Sequence, residues 1–286
     1  MTAALRKRGL DWLLNAYAGL ALIYLLVPIA VIIVFSFNDP IGRFNFVWEQ
    51  FSLDDWKHPF AVQGVGDALK TSIQIAALST VIATALGTLT ALALVRYEFK
   101  GRSPVNFFIF IPLATPEVVL GAALLSQFLN WGTPQLGFAT ILIAHVMFNL
   151  SFVVITVRSR LIGFDRSLEE AAQDLGATPW ETFRLVTLPL IMPGVAAAAL
   201  LAFALSIDDF VITNFNSGST ITFPLFIWGA ARVAVAPQIY VIATMIFLFT
   251  VAMMILTVWQ QRRAEKMAAT RPEEPELALA LEHAPA

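Results

Sequence analysis

The sequence predicts an all-α integral membrane protein with six transmembrane helices, and three observations lead to this fold class. Apolar residues make up 58% of the 286 residues and charged residues only 13%, too few to cover the surface of a soluble protein. The mean hydropathy is +0.75. Six separate apolar runs reach the length of about 20 residues that a helix needs to cross about 30 Å of hydrocarbon.

The six predicted spans cover residues 12–37, 68–95, 104–129, 137–157, 188–207 and 239–259. The first is too long, and too rich in Trp and Tyr, for a cleaved signal peptide, so we expect it to be retained. Prolines inside the spans should kink or interrupt their helices, and the third span, which holds two of them, should be bent most. These prolines are Pro28, Pro112, Pro116 and Pro193.

Basic residues are distributed unequally between the two sides of the predicted membrane domain. Fourteen of the 18 Lys and Arg residues precede the first span, follow the last one, or lie in the segments 96–103 and 158–187. Because positively charged loops stay in the cytoplasm, both termini should be cytoplasmic. The predicted organisation is a cytoplasmic segment 1–11, a membrane domain 12–262 that includes the loop 158–187, and a disordered tail 263–286 rich in Ala, Glu and Pro.

Composition and motifs exclude several kinds of site. The net charge is −2, and the basic residues form no stripe with aromatics, which argues against nucleic-acid binding. The absence of cysteine excludes disulfides, thiolate metal sites and cysteine nucleophiles. The sequence contains no G-x-x-x-x-G-K-[ST] phosphate loop, so energy from ATP would have to come through another chain. No catalytic, cofactor-binding or metal-binding residues are predicted.

The loop at 158–187 contains strong signals for the start and end of helices. Ser167 with Glu170 forms one predicted capping box, and Thr178 with Glu181 forms another, with proline at the first helical position. Gly176, between them, is a helix stop. Two short helices joined by a tight turn should therefore lie outside the bilayer. They could form a rigid contact surface for another protein, or simply an ordinary amphipathic loop.

The same loop resembles the EAA motif of binding-protein-dependent ABC importer permeases, with Val186 where that motif most often has isoleucine. The matching residues are Glu170, Ala171, Ala172, Gly176, Leu188 and Pro189. The resemblance implies a type I ABC importer permease in the bacterial inner membrane. It also implies that this loop is a coupling helix that docks into a groove of a separate cytoplasmic ATPase dimer, which binds ATP and Mg²⁺.

Within this resemblance, the residues of the motif have different expected roles. Ala171 and Ala172 should allow close approach to the ATPase, because a bulky side chain would hold the helix away. Gly176 should adopt a positive φ between the two helices. Glu170 has two open roles, an ion pair with the ATPase and a cap for its own helix.

A finer resemblance within residues 10–262 is to the polyamine (spermidine/putrescine) branch of these permeases, carried by residues 111–121 and by 205–218, continuing to Phe223 and Pro224. It implies a heterodimer with a second related permease and a polyamine-binding protein on the outer side. Import of a different small solute remains an alternative. Acidic residues of the outer segments either dock the binding protein or are simply solvated. They are Asp39, Glu49, Asp54, Asp55 and Asp67.

Acidic and aromatic residues near the spans are candidates for a polycation route. A carboxylate at the centre of a spanning helix costs about 2.5–3.5 kcal/mol on insertion scales, so such a residue suggests a function. A polycation needs acceptors that replace its hydration and aromatic faces for cation–π contact. The candidate pathway residues are Glu117, Asp208, Asp209, Phe210, Phe215 and Trp228. The alternative for Asp208 and Asp209 is a solvated or capping role at the end of the fifth helix.

His145 and Asn149 share a helix face, where they could line a pathway or, as we favour, hydrogen-bond a neighbouring helix. Two other functional classes are less favoured. An intramembrane aspartyl enzyme would need facing carboxyls, whereas the neighbours Asp208 and Asp209 would point about 100° apart on a helix. A channel would explain the spans but not the capped loop.

Overall fold

The computed structural model describes residues 2–42, 44–132, 134–163, 165–233 and 235–269. Within these ranges the chain is mainly helical, with one isolated β-bridge between Asn38 and Phe51. The helices are α1 (Thr2–Phe35), α2 (Asp54–Lys57), α3 (Val65–Arg96), α4 (Arg102–Ala114), α5 (Glu117–Trp131), α6 (Phe138–Ile162), α7 (Ser167–Asp174), α8 (Pro179–Thr182), α9 (Leu188–Ile207), α10 (Val211–Asn216), α11 (Phe223–Val233) and α12 (Pro237–Ala269). A π-helical turn, Phe183–Thr187, joins α8 to α9.

Four helical segments of the described chain are long and apolar enough to cross a membrane: Trp12–Phe35, Val65–Arg96, Phe138–Ile162 and Pro179–Ile207. The pair α4 and α5 makes a fifth if it counts as one broken span. The sixth predicted span, residues 239–259, falls within α12, and within the described part of the chain Pro237–Ala252 of that helix is apolar, so the count of six stays a prediction.

The predicted boundaries of the membrane domain differ from the helix ends. Helix α1 begins at Thr2, so most of the predicted N-terminal segment is helical. Helix α12 continues to Ala269, which places the first seven residues of the predicted tail in that helix. Residues 270–286 of the predicted tail lie outside the described residues.

The third predicted span is broken, as the prolines indicate. The chain bends by 111° between α4 and α5. Thr115 has an extended backbone, φ −82° and ψ 128°, because the ring of Pro116 disfavours the helical conformation in the residue before it. Helices α1 and α9, in contrast, continue through Pro28 and Pro193.

Residues 63–233 form one compact unit, in which α3, α6 and α9 pack against one another. Their shared core consists mainly of small and β-branched side chains, including Ala83, Val153 and Ala198, all with 0% exposure. A Cβ on Gly87 would lie 2.6 Å from Cγ1 of Val153, so α3 and α6 approach too closely there for any side chain. The three helices are the frame that positions the loop and the acidic residues described below.

The described residues within 2–62 and 235–269 form the second compact unit, in which α1 packs on α12. The segment after α1 folds back on the end of that helix. Nδ2 of Asn38 donates to Oδ1 of Asn45 at 2.6 Å, and Nε1 of Trp56 donates to the carbonyl of Ser36 at 3.0 Å. Buried side-chain hydrogen bonds therefore hold part of this predicted outer segment.

Candidate functional site

The start of α7 differs from its prediction. Arg166 occupies the cap position and makes no side-chain cap bond, so the predicted Ser167–Glu170 capping box is wrong. Instead, the backbone N–H of Ser167 donates to Oδ1 of Asp165 at 3.0 Å, which makes Ser167 the first helical residue. This hydrogen bond lowers the pKa of the Asp165 carboxyl below its ordinary value. The carboxylate of Asp165, rather than the hydroxyl of Ser167, therefore accepts a hydrogen bond from the backbone at the start of α7.

The turn and the second helix of the loop form as predicted. Gly176 has a φ of +90°, and the N–H of Ala177 donates to the carbonyl of Ala172 at 3.0 Å, the long hydrogen bond of a Schellman motif. In the second box, the N–H of Glu181 donates to Oγ1 of Thr178 at 3.3 Å, and the N–H of Thr178 donates to Oε2 of Glu181 at 2.8 Å. The loop is therefore a helix–turn–helix with a defined geometry.

The residues of the predicted docking surface lie at or near the surface of the loop. Glu170, Ala171, Gly176 and Pro189 are exposed, and Ala172 and Leu188 are partly buried. Large apolar side chains lie exposed beside them on the same loop, among them Leu175 at 90% and Trp180 at 66%. An accessible, partly apolar surface of this kind suits contact with another protein.

Glu169, which the sequence did not single out, lies on the inner side of α7. Its Oε1 accepts hydrogen bonds from Nη2 of Arg96, at the end of α3, and from Oγ1 of Thr187, at the end of the π-helical turn. The side chain of Glu169 is only 12% exposed. Capping patterns give no information about a contact between residues 73 positions apart, so only the helix periodicity, which separates Glu169 from Glu170, could have indicated an inward position.

Asp209 belongs to a buried hydrogen-bond network rather than to an open surface. Its side chain is 7% exposed, and its Oδ2 accepts from the N–H and from Oγ1 of Thr213, at 2.8 and 2.7 Å. The same oxygen lies 3.3 Å from Nε2 of His145, whose Nδ1 is 2.6 Å from Oγ of Ser206. That hydroxyl lies 3.0 Å from Oγ of Ser79, so the network joins α3, α6, α9 and α10.

These contacts support the packing role favoured for His145. A neutral ring that carries its proton on Nε2 fits all of them, since Nδ1 can then accept from Ser206. Asn149, one turn further along α6, is fully buried, and its side-chain amide has no hydrogen-bond partner among the described residues.

The other candidate pathway residues are two exposed carboxylates and a pair of neighbouring aromatic rings. Asp208 is exposed in the short break between α9 and α10, and Glu117 is exposed as the first residue of α5. The rings of Phe210 and Trp228 lie 5.0 Å apart, and the guanidinium of Arg232 lies 4.9 Å from the Trp228 ring centre. The Trp228 face therefore already holds a cation.

Helix α10 holds this region against α5. A Cβ on Gly121 would lie 2.7 Å from Cδ2 of Phe215, so α10 approaches α5 closely at this glycine. Phe215 is thus a packing residue. The exposed Glu117 lies one turn before Gly121 on α5.

A groove of about 510 Å³ runs along α3 beside the π-helical turn and α9. Its polar atoms are mainly the hydroxyls of Thr80, Thr84 and Thr88, and the rest of its lining is apolar. It offers no carboxylate for an ammonium group, and so it does not suit a polycation.

Three of the predicted acidic residues of the outer segments have hydrogen-bond partners within their own compact unit. Asp39 accepts from Gln50 at 3.0 Å, and Asp54 accepts from Lys57 at 2.7 Å. Oδ1 of Asp55 accepts from Nε2 of Gln238 at 2.6 Å. Burial of Asp55, together with the nearby carboxylates of Asp39 and Asp54, raises the pKa of the Asp55 carboxyl.

Residues 83–266 match the family model for the "Binding-protein-dependent transport system inner membrane component". The chain belongs to this family. The matched region covers the capped loop and the spans α6 and α9, so the resemblance seen in the EAA motif is confirmed. The chain is therefore the membrane permease of an ABC importer rather than an enzyme.

Curated relatives of the permease have similar lengths. It is 39% identical over 233 residues to the "Spermidine/putrescine transport system permease protein PotC" of Escherichia coli (strain K12), which covers 81% of this chain and 87% of the relative. It is 37% identical over 252 residues to the "Putrescine transport system permease protein PotI" of the same strain, with 85% and 88% covered.

Solved structures support the fold. A bacterial ABC transporter involved in the import of the acidic polysaccharide alginate matches the permease with a TM-score of 0.64 at 17% identity, over 89% of this chain and 96% of the other. An amino acid ABC transporter matches with a TM-score of 0.55 at 18% identity, over 74% of this chain and all of the other. The predicted all-α permease fold is thus confirmed.

Proposed function

We propose that this permease imports polyamines such as spermidine and putrescine. The observation that carries the proposal is its 37–39% identity, over more than four fifths of the chain, to permeases named for these substrates. The chemistry of the described residues agrees. Asp208 and Glu117 present exposed carboxylates that can attract a polycation, whereas the Trp228 face is occupied by the guanidinium of Arg232.

In the proposed assembly, the permease pairs with a second, related permease in the inner membrane. A substrate-binding protein delivers the polyamine from the outer side, and a cytoplasmic ATPase dimer binds ATP and Mg²⁺. Both termini and the loop 158–187 lie in the cytoplasm. The exposed residues of α7 and of the turn, Glu170, Ala171 and Gly176, together with the partly buried Ala172, dock on the ATPase, while Leu188 and Pro189 continue this segment into α9.

Asp209 is assigned a different role from Asp208 within this proposal. Its carboxylate is buried and already accepts hydrogen bonds, so it positions the break between α9 and α10. An aspartyl-enzyme alternative loses its basis, because one carboxylate of the pair is buried beside His145 and the other is exposed. Ser206, His145 and Asp209 are the residue types of a hydrolase triad, but Ser206 is buried between helices, where no substrate carbonyl has access.

The test is uptake of labelled spermidine and putrescine by cells that lack their own polyamine importers. The permease would be expressed together with its partner ATPase, second permease and binding protein. We expect uptake to require every component. An excess of unlabelled polyamine should suppress the uptake of the label, whereas an equal excess of a neutral sugar should not. An assembled transporter that accumulates no polyamine above the level without the permease would contradict the proposed substrate.

A further inference from the structure

A carboxylate on the inner side of α7 connects the loop with two spans. Oε1 of Glu169 accepts hydrogen bonds from Arg96, the last residue of α3, and from Thr187, which immediately precedes α9. Nη2 of Arg96 also lies 3.5 Å from Oγ1 of Thr187, so the three side chains form a closed cluster. We call Arg96, Glu169 and Thr187 the Glu169 cluster.

A second contact ties the same end of α7 to α3. Nη2 of Arg166, the residue before α7, donates to the backbone carbonyl of Val95 at 3.1 Å. The last carbonyls of a helix lack intrahelical partners, and a basic side chain at that end is favoured by the helix dipole. The first turn of α7 is therefore fixed to the end of α3 at two points.

Thr187 gives the cluster its connection to α9. It is fully buried and ends the π-helical turn Phe183–Thr187, which joins the second loop helix to that span. Such turns are rare in proteins and often occur at functional sites. A displacement of α7 would therefore act at once on the end of α3 and on the start of α9.

The Arg96–Glu169 ion pair of the Glu169 cluster is more shielded from water than the neighbouring ion pair of Arg102 and Glu98. The side chains of Arg96 and Glu169 are 25% and 12% exposed, whereas the nearby pair of Arg102 and Glu98 is 36% and 95% exposed. An exposed pair contributes little to stability or geometry. A shielded carboxylate with two hydrogen-bond donors holds its neighbours in one arrangement.

We propose that Glu169 is the positioning residue that transmits movement of the coupling loop to α3 and α9. This inference rests on the proposed docking of the loop on the ATPase, and it separates the tasks of two adjacent glutamates. Glu170 is exposed on the surface of the loop, while Glu169 lies inward against the spans. Without the Glu169 cluster, the docked loop would move with the ATPase while the spans would not follow.

The test compares variants of the complete transporter, purified and reconstituted with its ATPase and binding protein. The variants are Glu169→Gln, Arg96→Glu, Glu169→Arg and the double reversal of Arg96 and Glu169, with Glu98→Gln as the matched control. Three quantities are measured, which are co-purification of the ATPase, ATP hydrolysis, and polyamine transported per ATP hydrolysed.

We expect Glu169→Gln to bind the ATPase and hydrolyse ATP, while transport per ATP falls about tenfold, as for the loss of one charge-assisted hydrogen bond. The single reversals should be uncoupled as well, and the double reversal should recover most of the coupling. Glu98→Gln should match the unmodified transporter, because its ion pair is exposed.

Several results would overturn the inference. Wild-type transport per ATP in Glu169→Gln would do so, as would an assembled double reversal that stays uncoupled. Failure of Glu169→Gln to assemble would show that the cluster acts in folding instead. Failure of the docking proposal is distinguishable, because it would appear as normal ATPase binding in Ala172→Arg, whatever the Glu169 variants do.

Discussion

At the scale of single residues, Asp208 and Asp209 show how neighbours in sequence acquire separate roles. Asp209 turns inward, where Thr213 donates to its carboxylate and His145 lies beside it. Asp208 stays exposed in the break between α9 and α10. The structural difference separates a carboxylate that holds the break together from one that is free to attract a cation.

This difference predicts opposite outcomes for two matched substitutions. Asp208→Asn should leave the complex assembled but lower polyamine uptake about ten- to a hundredfold, because a hydrogen bond to a charged group contributes about 1.5–3 kcal/mol. Asp209→Asn should instead destabilise the protein by about 1–3 kcal/mol, because it weakens a buried network. Uptake assays and thermal unfolding of the purified complex measure the two effects.

Each substitution is the control for the other. Wild-type uptake by an assembled Asp208→Asn transporter would show that this carboxylate is only solvated. An Asp209→Asn variant with unchanged thermal stability and reduced uptake would place Asp209 in the route, as the sequence suggested.

At the scale of elements, the loop between α6 and α9 shows what local sequence determines. The turn at Gly176 and the box of Thr178 and Glu181 were predictable, since caps involve residues three to five apart. The first box was wrong because Asp165, just outside the pattern, bonds the first turn. The Glu169 contact with Arg96 could not be predicted, since it depends on how α3 and α7 meet.

The loop also carries a prediction about coupling. Ala172→Arg should keep the protein inserted but lose the ATPase, because an arginine would separate the docking surfaces. Gly176→Val should act in the same direction, since a β-branched residue at a φ of +90° costs about 1–3 kcal/mol and would redirect the turn. Co-purification of the ATPase and polyamine uptake are the measurements.

A nearby glycine provides the control for this turn. Gly163, at the end of α6, has a φ of −86°, and a Cβ there would meet its nearest atom at an ordinary 3.9 Å. Gly163→Ala should therefore bind the ATPase and transport normally. If Ala172→Arg and Gly176→Val behaved like Gly163→Ala, the loop would not be the docking element.

At the scale of the whole molecule, the bend at Thr115 and the spans α3, α6 and α9 followed from hydropathy and proline positions. The number of spans did not follow as firmly. Four helical segments and one bent pair satisfy the length and composition of a span in the described chain. Helix α12 passes through the sixth predicted span and continues without a break into the basic segment after it, so the helix end does not mark the end of a crossing.

The location of the C-terminus decides between five and six crossings. A chain that starts in the cytoplasm ends there after six spans and ends outside after five. The basic residues favour six, because fourteen of 18 lie on the predicted cytoplasmic side. We expect a reporter that is active only in the periplasm to be inactive when fused after residue 266, and a cytoplasmic reporter to be active there.

Single cysteines provide an independent check of the same topology, because the natural chain contains none. Ile41→Cys, in the outer segment, and Leu175→Cys, in the loop, replace side chains that are 89% and 90% exposed. A membrane-impermeant maleimide should label Ile41→Cys in cells whose inner membrane is intact, and Leu175→Cys only after that membrane is opened. Labelling of Leu175→Cys from outside, or a periplasmically active fusion after residue 266, would contradict the six-span arrangement, since an even number of spans that starts inside must end inside.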